Sequence, residues 1–168
     1  LELGSAVKPI GLRYVRCLQN DFFAALKQGL MAACAPNLVY LRPGSSIQPN
    51  FLARAQRLLQ NDHLAILLPT EVDWQSGDHI AVNEDGSFRI ESIFCWPNLL
   101  QSFVARKVAL LELDVFGNED NTFLPFAAFR ALLLRTIHRG WQVYCDSELQ
   151  VGGGAPLFES ELPLLKQY

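Results

Sequence analysis

The stretch from Phe123 to Asp146, FLPFAAFRALLLRTIHRGWQVYCD, decides the fold of this 168-residue chain. Its apolar residues recur every three or four positions and line one face of a helix, whereas the basic residues fall largely on the other face. Pro125 suits the first helical turn, and Gly140 suits the left-handed position just past the helix end. The residues from Trp141 to Cys145 then alternate between apolar and polar, as in a strand with one buried face. The stretch therefore predicts a helix, a glycine stop and a strand.

The composition is that of a folded domain. Half of the residues are hydrophobic and 18% are charged, which provides ample material for a core. The net charge is −3, and the basic residues are scattered apart from the group on the helix above, so we expect no nucleic-acid partner. The four cysteines form no CxxC pair, which favours buried thiols, a reducing compartment and a cytoplasmic location. No apolar run approaches the roughly 20 residues that span a bilayer, so we expect no transmembrane segment.

Upstream of the helix, short apolar runs alternate with amphipathic stretches. They predict a strand at residues 10–18, a helix at 21–34, a strand at 38–41, a helix from Pro49 and a strand at 64–68. The spacing in the second helix places Arg54 on its outward side. Strands that alternate with helices over short connections are typical of parallel pairing with right-handed crossovers. We therefore expect an α/β fold with a mostly parallel sheet and helices on both faces.

The polar segment at residues 70–95 interrupts this alternation. It contains two turn signals flanked by alternating apolar residues, which predicts a β-hairpin inserted into the sheet. A further strand is expected at residues 102–105, and residues 108–113 fit either a short helix or a strand.

Glycine marks the expected end of the domain. Gly152–Gly154, followed by Pro156, is typical of a flexible connection. We therefore divide the chain into an α/β domain at residues 1–151 and a linker or tail at residues 152–168. The chain begins with Leu1 rather than Met, so we expect it to be a piece of a longer protein.

The order of these elements resembles the GT-A domain of family 2-like glycosyltransferases from the family's third strand onward. The resemblance runs from about Ile10 to Val151 and includes an Ala-rich stretch at Gly29–Ala33 and the basic-glycine-aromatic sequence Arg139–Trp141. It implies a GT-A-like fold and a nucleotide sugar or a glycan as ligand. In the family's active members it also implies Mn²⁺ or Mg²⁺, held by a D-x-D motif against the nucleotide diphosphate.

The family's reactive residues are missing from the matching positions. Arg42 and Gly44 stand where the two aspartates of the metal motif would be, and hard divalent cations need oxygen ligands. Ala128 and Phe129 stand where the family has the Asp that acts as general base, and neither side chain can take a proton. We therefore expect no metal and no cofactor, and we expect Ala128 and Phe129 to face core or helix packing rather than a cleft.

Two pairs of residues are the candidates for a site. Arg42, together with Ser45, would bind phosphate directly, since the guanidinium group matches phosphate geometry. Glu119 and Asp120 form the nearest acidic pair to the last helix and would be the catalytic bases of an active enzyme. A solvated acidic turn is the favoured interpretation of Glu119 and Asp120, and a nucleotide-binding role for Arg42 is the less favoured one.

The sequence thus predicts a degenerate glycosyltransferase-like domain that acts as a binding or structural module of a larger glycan-assembly protein. Two alternatives stay open: an active hexosyltransferase domain whose N-terminal half is supplied elsewhere, and an unrelated α/β interaction domain. The nucleotide-binding units that begin a GT-A domain have no counterpart before residue 10, which would leave the strand at residues 10–18 as an unpaired edge. We therefore expect a homo-oligomer or a neighbouring domain of a longer chain as partner.

Overall fold

The computed structural model describes residues 22–42, 44–71, 88, 102–113 and 125–153. Within these ranges the chain forms four helices and five strands. In chain order they are α1 Phe22–Ala32, β1 Asn37–Tyr40, β2 Ser45–Ile47, α2 Phe51–Leu58, β3 Leu64–Glu71, β4 Phe103–Arg106, α3 Lys107–Glu112, α4 Pro125–His138 and β5 Gln142–Gly153.

The five described strands form one mixed sheet in the order β1-β4-β3-β5-β2. Only β3 and β5 pair in parallel, whereas β1–β4, β3–β4 and β2–β5 are antiparallel. The α/β class is confirmed, but the expectation of a mostly parallel sheet is wrong. The alternation of strands and helices predicted most of the elements. However, β4 returns antiparallel between β1 and β3, a placement that hydrophobic periodicity does not specify. The mixed sheet does not support the expected GT-A-like architecture.

Helices cover both faces of the sheet, as the sequence predicted. Helices α1, α3 and α4 pack on one face, and α2 packs on the other. On the first face, the ring of Phe103 lies 5.1 Å from that of Tyr40 and 5.2 Å from that of Phe129. The core of the second face consists of Phe51, Ala55, Leu59, Leu64, Leu67, Val104, Leu149 and Val151.

The helix α4 and its end follow the prediction. Gly140 has a φ of 83°, which glycine adopts without steric cost. The Gly140 N–H donates to Ile137 O at 2.9 Å, and the Trp141 N–H donates to Thr136 O at 3.1 Å. These two bonds form a Schellman motif, which satisfies carbonyls that the helix end would otherwise leave unpaired.

The other predicted elements differ from the structure mainly at their ends. The expected strands at 38–41 and 102–105 are shifted by one residue, and β3 extends to Glu71. Residues 108–113, which fitted either element, lie almost entirely in α3. The predicted strand at residues 10–18 lies outside the described residues.

Most of the predicted hairpin at residues 70–95 also lies outside the described residues. Residues 70 and 71 end β3, and the Phe88 N–H donates to Val143 O at 3.1 Å. Gly152 and Gly153, the first residues of the expected linker, are the last two residues of β5 and pair with β2.

The connection from β1 to β2 requires the sheet to curl. The two strands lie at opposite edges, which a flat sheet would separate by about 19 Å, or four spacings of about 4.8 Å. The Ser45 N–H donates to Arg42 O at 3.1 Å, closing a β-turn across Gly44, whose φ is 79°. Such a turn spans less than about 7 Å, and the two steps from Tyr40 to Arg42 add about 7 Å. The link therefore reaches at most about 14 Å, so curvature must bring β2 towards the end of β1.

Candidate functional site

Arg42 and Ser45, the predicted phosphate-binding pair, lie at the two ends of the turn between β1 and β2. Their backbones are joined by the turn bond, and the Arg42 N–H also lies 3.3 Å from Ser102 Oγ, to which it donates. Ser45 starts β2 opposite Gly153 of β5. Its Oγ is buried and has no hydrogen-bond partner among the described residues. The structure thus brings the two residues together through their backbone, and their role in binding phosphate stays a prediction.

The two positions that match the family's general base are buried, as the sequence predicted. Ala128 and Phe129 are fully buried on the inward side of α4, in the core between that helix and the sheet. The other catalytic candidates, Glu119 and Asp120, lie outside the described residues, and their role stays a prediction.

A charged cluster without a clear signal in the sequence joins α2 to β5. We call Arg54, Asp146 and Glu148 the Arg54 cluster. Arg54 Nε lies 2.5 Å from Asp146 Oδ2, and its Nη2 lies 2.9 Å from Asp146 Oδ1. Arg54 Nη1 lies 2.5 Å from Glu148 Oε2. The guanidinium group thus binds Asp146 with two parallel hydrogen bonds and holds Glu148 with its remaining amino group, an arrangement that the planar fork of arginine favours.

Both carboxylates that contact Arg54 lie at the start of a bulge in β5. Asp146 is opposite Pro69 of β3, but the next residue of β3, Thr70, is opposite Gln150. Residues 147–149 are therefore extra residues in β5. Asp146 Oδ1 also accepts a hydrogen bond from the Glu148 N–H at 3.0 Å, a local turn that Asp side chains commonly stabilise.

The odd length of this bulge decides which side chains of β5 reach the core under α2. Side chains alternate between the two faces of a strand, so an odd insertion reverses the alternation beyond it. Without the bulge, Glu148 would be opposite Glu71. With it, Val151 takes that position and is fully buried against α2. The bulge therefore keeps Glu148 near the surface and brings Val151 into the core.

Burial differs sharply within the Arg54 cluster. The side chain of Asp146 is 5% exposed, whereas that of Glu148 is 73% exposed. The hydrogen bond with Asp146, aided by the negative charges nearby, raises the pKa of Arg54 above its ordinary value. The guanidinium therefore stays charged, and both oxygens of Asp146 are engaged in holding α2 on β5.

Two further basic residues satisfy carbonyls at helix ends. Arg106 donates through Nη2 to Leu59 O at 2.5 Å and to Asn61 O at 3.0 Å. Lys107 Nζ lies 2.7 Å from Ala33 O, just past the end of α1. Basic side chains at these positions are favourable because they pair with the last carbonyls of a helix and with its dipole. Arg106 thus links the end of α2 to the start of α3, and Lys107 links the end of α1 to it.

The two described cysteines differ in environment. Cys34 is exposed. Cys145 is partly buried against the core between the sheet and helices α1, α3 and α4. Burial raises the pKa of the Cys145 thiol to about 12, so the thiolate that reacts with electrophiles is scarce at neutral pH. Within the described ranges, no three His, Cys, Asp or Glu side chains are grouped so that they could hold a metal ion.

The sequence signal for the Arg54 cluster was weak. Arg54 and Asp146 are 92 positions apart, and helical spacing placed Arg54 on the outward side of α2. The only local indication was an Asp directly after an apolar strand segment, where a buried carboxylate needs a partner.

Comparison of the chain with known protein families gives no match, and comparison with curated proteins gives none either. None of the helices in the described part of the chain is long and apolar enough to cross a membrane.

Proposed function

We propose that this chain is a binding or structural module of a larger glycan-assembly protein. The Arg54 cluster is the observation that supports a binding or structural role for this chain. A carboxylate used for acid–base chemistry must reach its substrate, but Asp146 is buried, and both of its oxygens bind the guanidinium group. Among the described residues, the closest ion pairs are those of Arg54 with Asp146 and Glu148, and they stabilise the fold.

The residues at the family's reactive positions support the same proposal. Ala128 and Phe129 contribute to the core, where even an acidic replacement would be buried away from an acceptor. Arg42 would oppose a divalent cation by its charge at the position of the metal motif. The link to glycan assembly rests on the sequence resemblance alone.

An unrelated α/β interaction domain is the second candidate, and the direction of the strand pairings favours it. A glycosyltransferase-like domain was expected to have a mostly parallel sheet, whereas three of the four described strand pairings are antiparallel. The third alternative, an active transferase, would need Glu119 or Asp120 to act as base, with Arg42 and Ser45 at the donor phosphates.

Calorimetric titration distinguishes the three candidate functions. The ligands are nucleotide sugars, nucleoside diphosphates and glycan oligomers, each with and without Mn²⁺. A binding module should take up one of these ligands without needing the metal. Arg42→Ala should then weaken nucleotide binding, while Arg57→Ala, at an exposed position of α2, should leave it unchanged. Binding that requires Mn²⁺ would contradict the proposal in favour of the active transferase. No binding of any ligand would favour the unrelated interaction domain.

We further propose that the domain pairs with a second copy or with a neighbouring domain of a longer chain. In support, β1 is the first strand in the sheet order and has one strand partner among the described residues. The strand carries no charge, and Val39 and the following Leu41 are 37% and 38% exposed. Natural edge strands usually carry charges that prevent association.

Light scattering during size-exclusion chromatography tests the pairing. Self-association should give a mass above that of the monomer, and Val39→Lys should reduce it, because a lysine on an edge strand opposes pairing. Thr70→Lys, at an exposed residue of β3, is the control for added charge. A monomer at all concentrations would exclude the second copy and leave a neighbouring domain as the partner to be sought.

A cytoplasmic location is also part of the proposal. It is supported by Cys34 and Cys145, which are both free thiols, since disulfides are rare in reducing compartments. Fractionation of cells that produce the full-length protein would test it, and recovery of the protein in an oxidising compartment would contradict it.

A further inference from the structure

No further inference is drawn: the strongest candidate, the group of exposed apolar side chains formed by Met31 on α1 and by Val108 and Leu111 on α3, carries none because nothing in the structure shows what covers it.

Discussion

Replacing Arg54 with alanine should destabilise the protein far more than the loss of a surface charge would. The variant leaves Asp146 buried without the guanidinium that neutralises it. A buried carboxylate that loses its partner typically costs about 3–5 kcal/mol. We expect the lower end for Asp146, about 3 kcal/mol, because the cluster opens to water at Glu148.

The expected loss is large enough to measure and small enough to leave a folded protein. Domains are typically stable by about 5–15 kcal/mol, and for a chain of this size each kcal/mol shifts the melting temperature by about 2–4 °C. The melting temperature of Arg54→Ala should therefore fall by about 6–12 °C. Urea denaturation followed by circular dichroism would give the free energy of unfolding directly.

Two further variants make the test specific to the buried carboxylate. Asp146→Ala should cost less than Arg54→Ala, because the guanidinium that remains can still bind Glu148 and reaches water. Arg57→Ala, at an exposed position of the same helix, should change the unfolding free energy by less than about 0.5 kcal/mol. Equal losses for Arg54→Ala and Arg57→Ala would refute the reasoning.

Three further predictions concern the core, the glycines and the thiols. Phe129→Ala should lower the unfolding free energy by about 3–5 kcal/mol, since it removes a fully buried ring; a loss below about 1 kcal/mol in urea denaturation would mean that the ring is not in the core. Gly29→Ala should stabilise by about 0.5–1 kcal/mol because it lies within α1 with open space around it, whereas Gly140→Ala should destabilise by about 1–2 kcal/mol because its φ is positive. The same sign for both variants in thermal melts would contradict the conformational argument. Burial raises the pKa of the Cys145 thiol from 9.0 to about 12, so this thiol ionises at a lower pH in the unfolded chain than in the folded protein. The free energy of unfolding should therefore fall between pH 9 and about 12, by at most about 1.4 kcal/mol per pH unit. Cys145→Ala should reduce this slope relative to Cys34→Ala, and an unchanged slope would show that the thiol does not contribute.

The helix α4 and the residues around it were predictable from the sequence because their signals are local. The spacing of Phe129 and Leu133 defined the inward face of the helix, and Gly140 marked its end. Both signals depend on residues within one or two turns of each other, so they do not need knowledge of the partner elements. The burial of Ala128 was expected for a different reason, because alanine cannot take a proton at the position of the family's general base.

The short strand β2 was missed because its three residues, Ser45–Ile47, have little strand character of their own. They pair with Val151–Gly153 across the chain. The glycine run at residues 152–154 has the composition of a flexible connection, and glycine by itself does not favour a strand. In the structure, Gly152 O accepts a hydrogen bond from Ser46 Oγ at 3.0 Å, although the two residues are 106 positions apart.

The sequence by itself determined the class of the fold, the positions of most described helices and strands, and the burial of Phe129, because these follow from periodicity and from turn residues close along the chain. Only the tertiary structure decided the order and direction of the strands and the curl between β1 and β2. It also decided the contact of Arg54 with Asp146. The physical reason is that pairing and charge neutralisation act between residues far apart in sequence, whose meeting depends on how the whole sheet assembles.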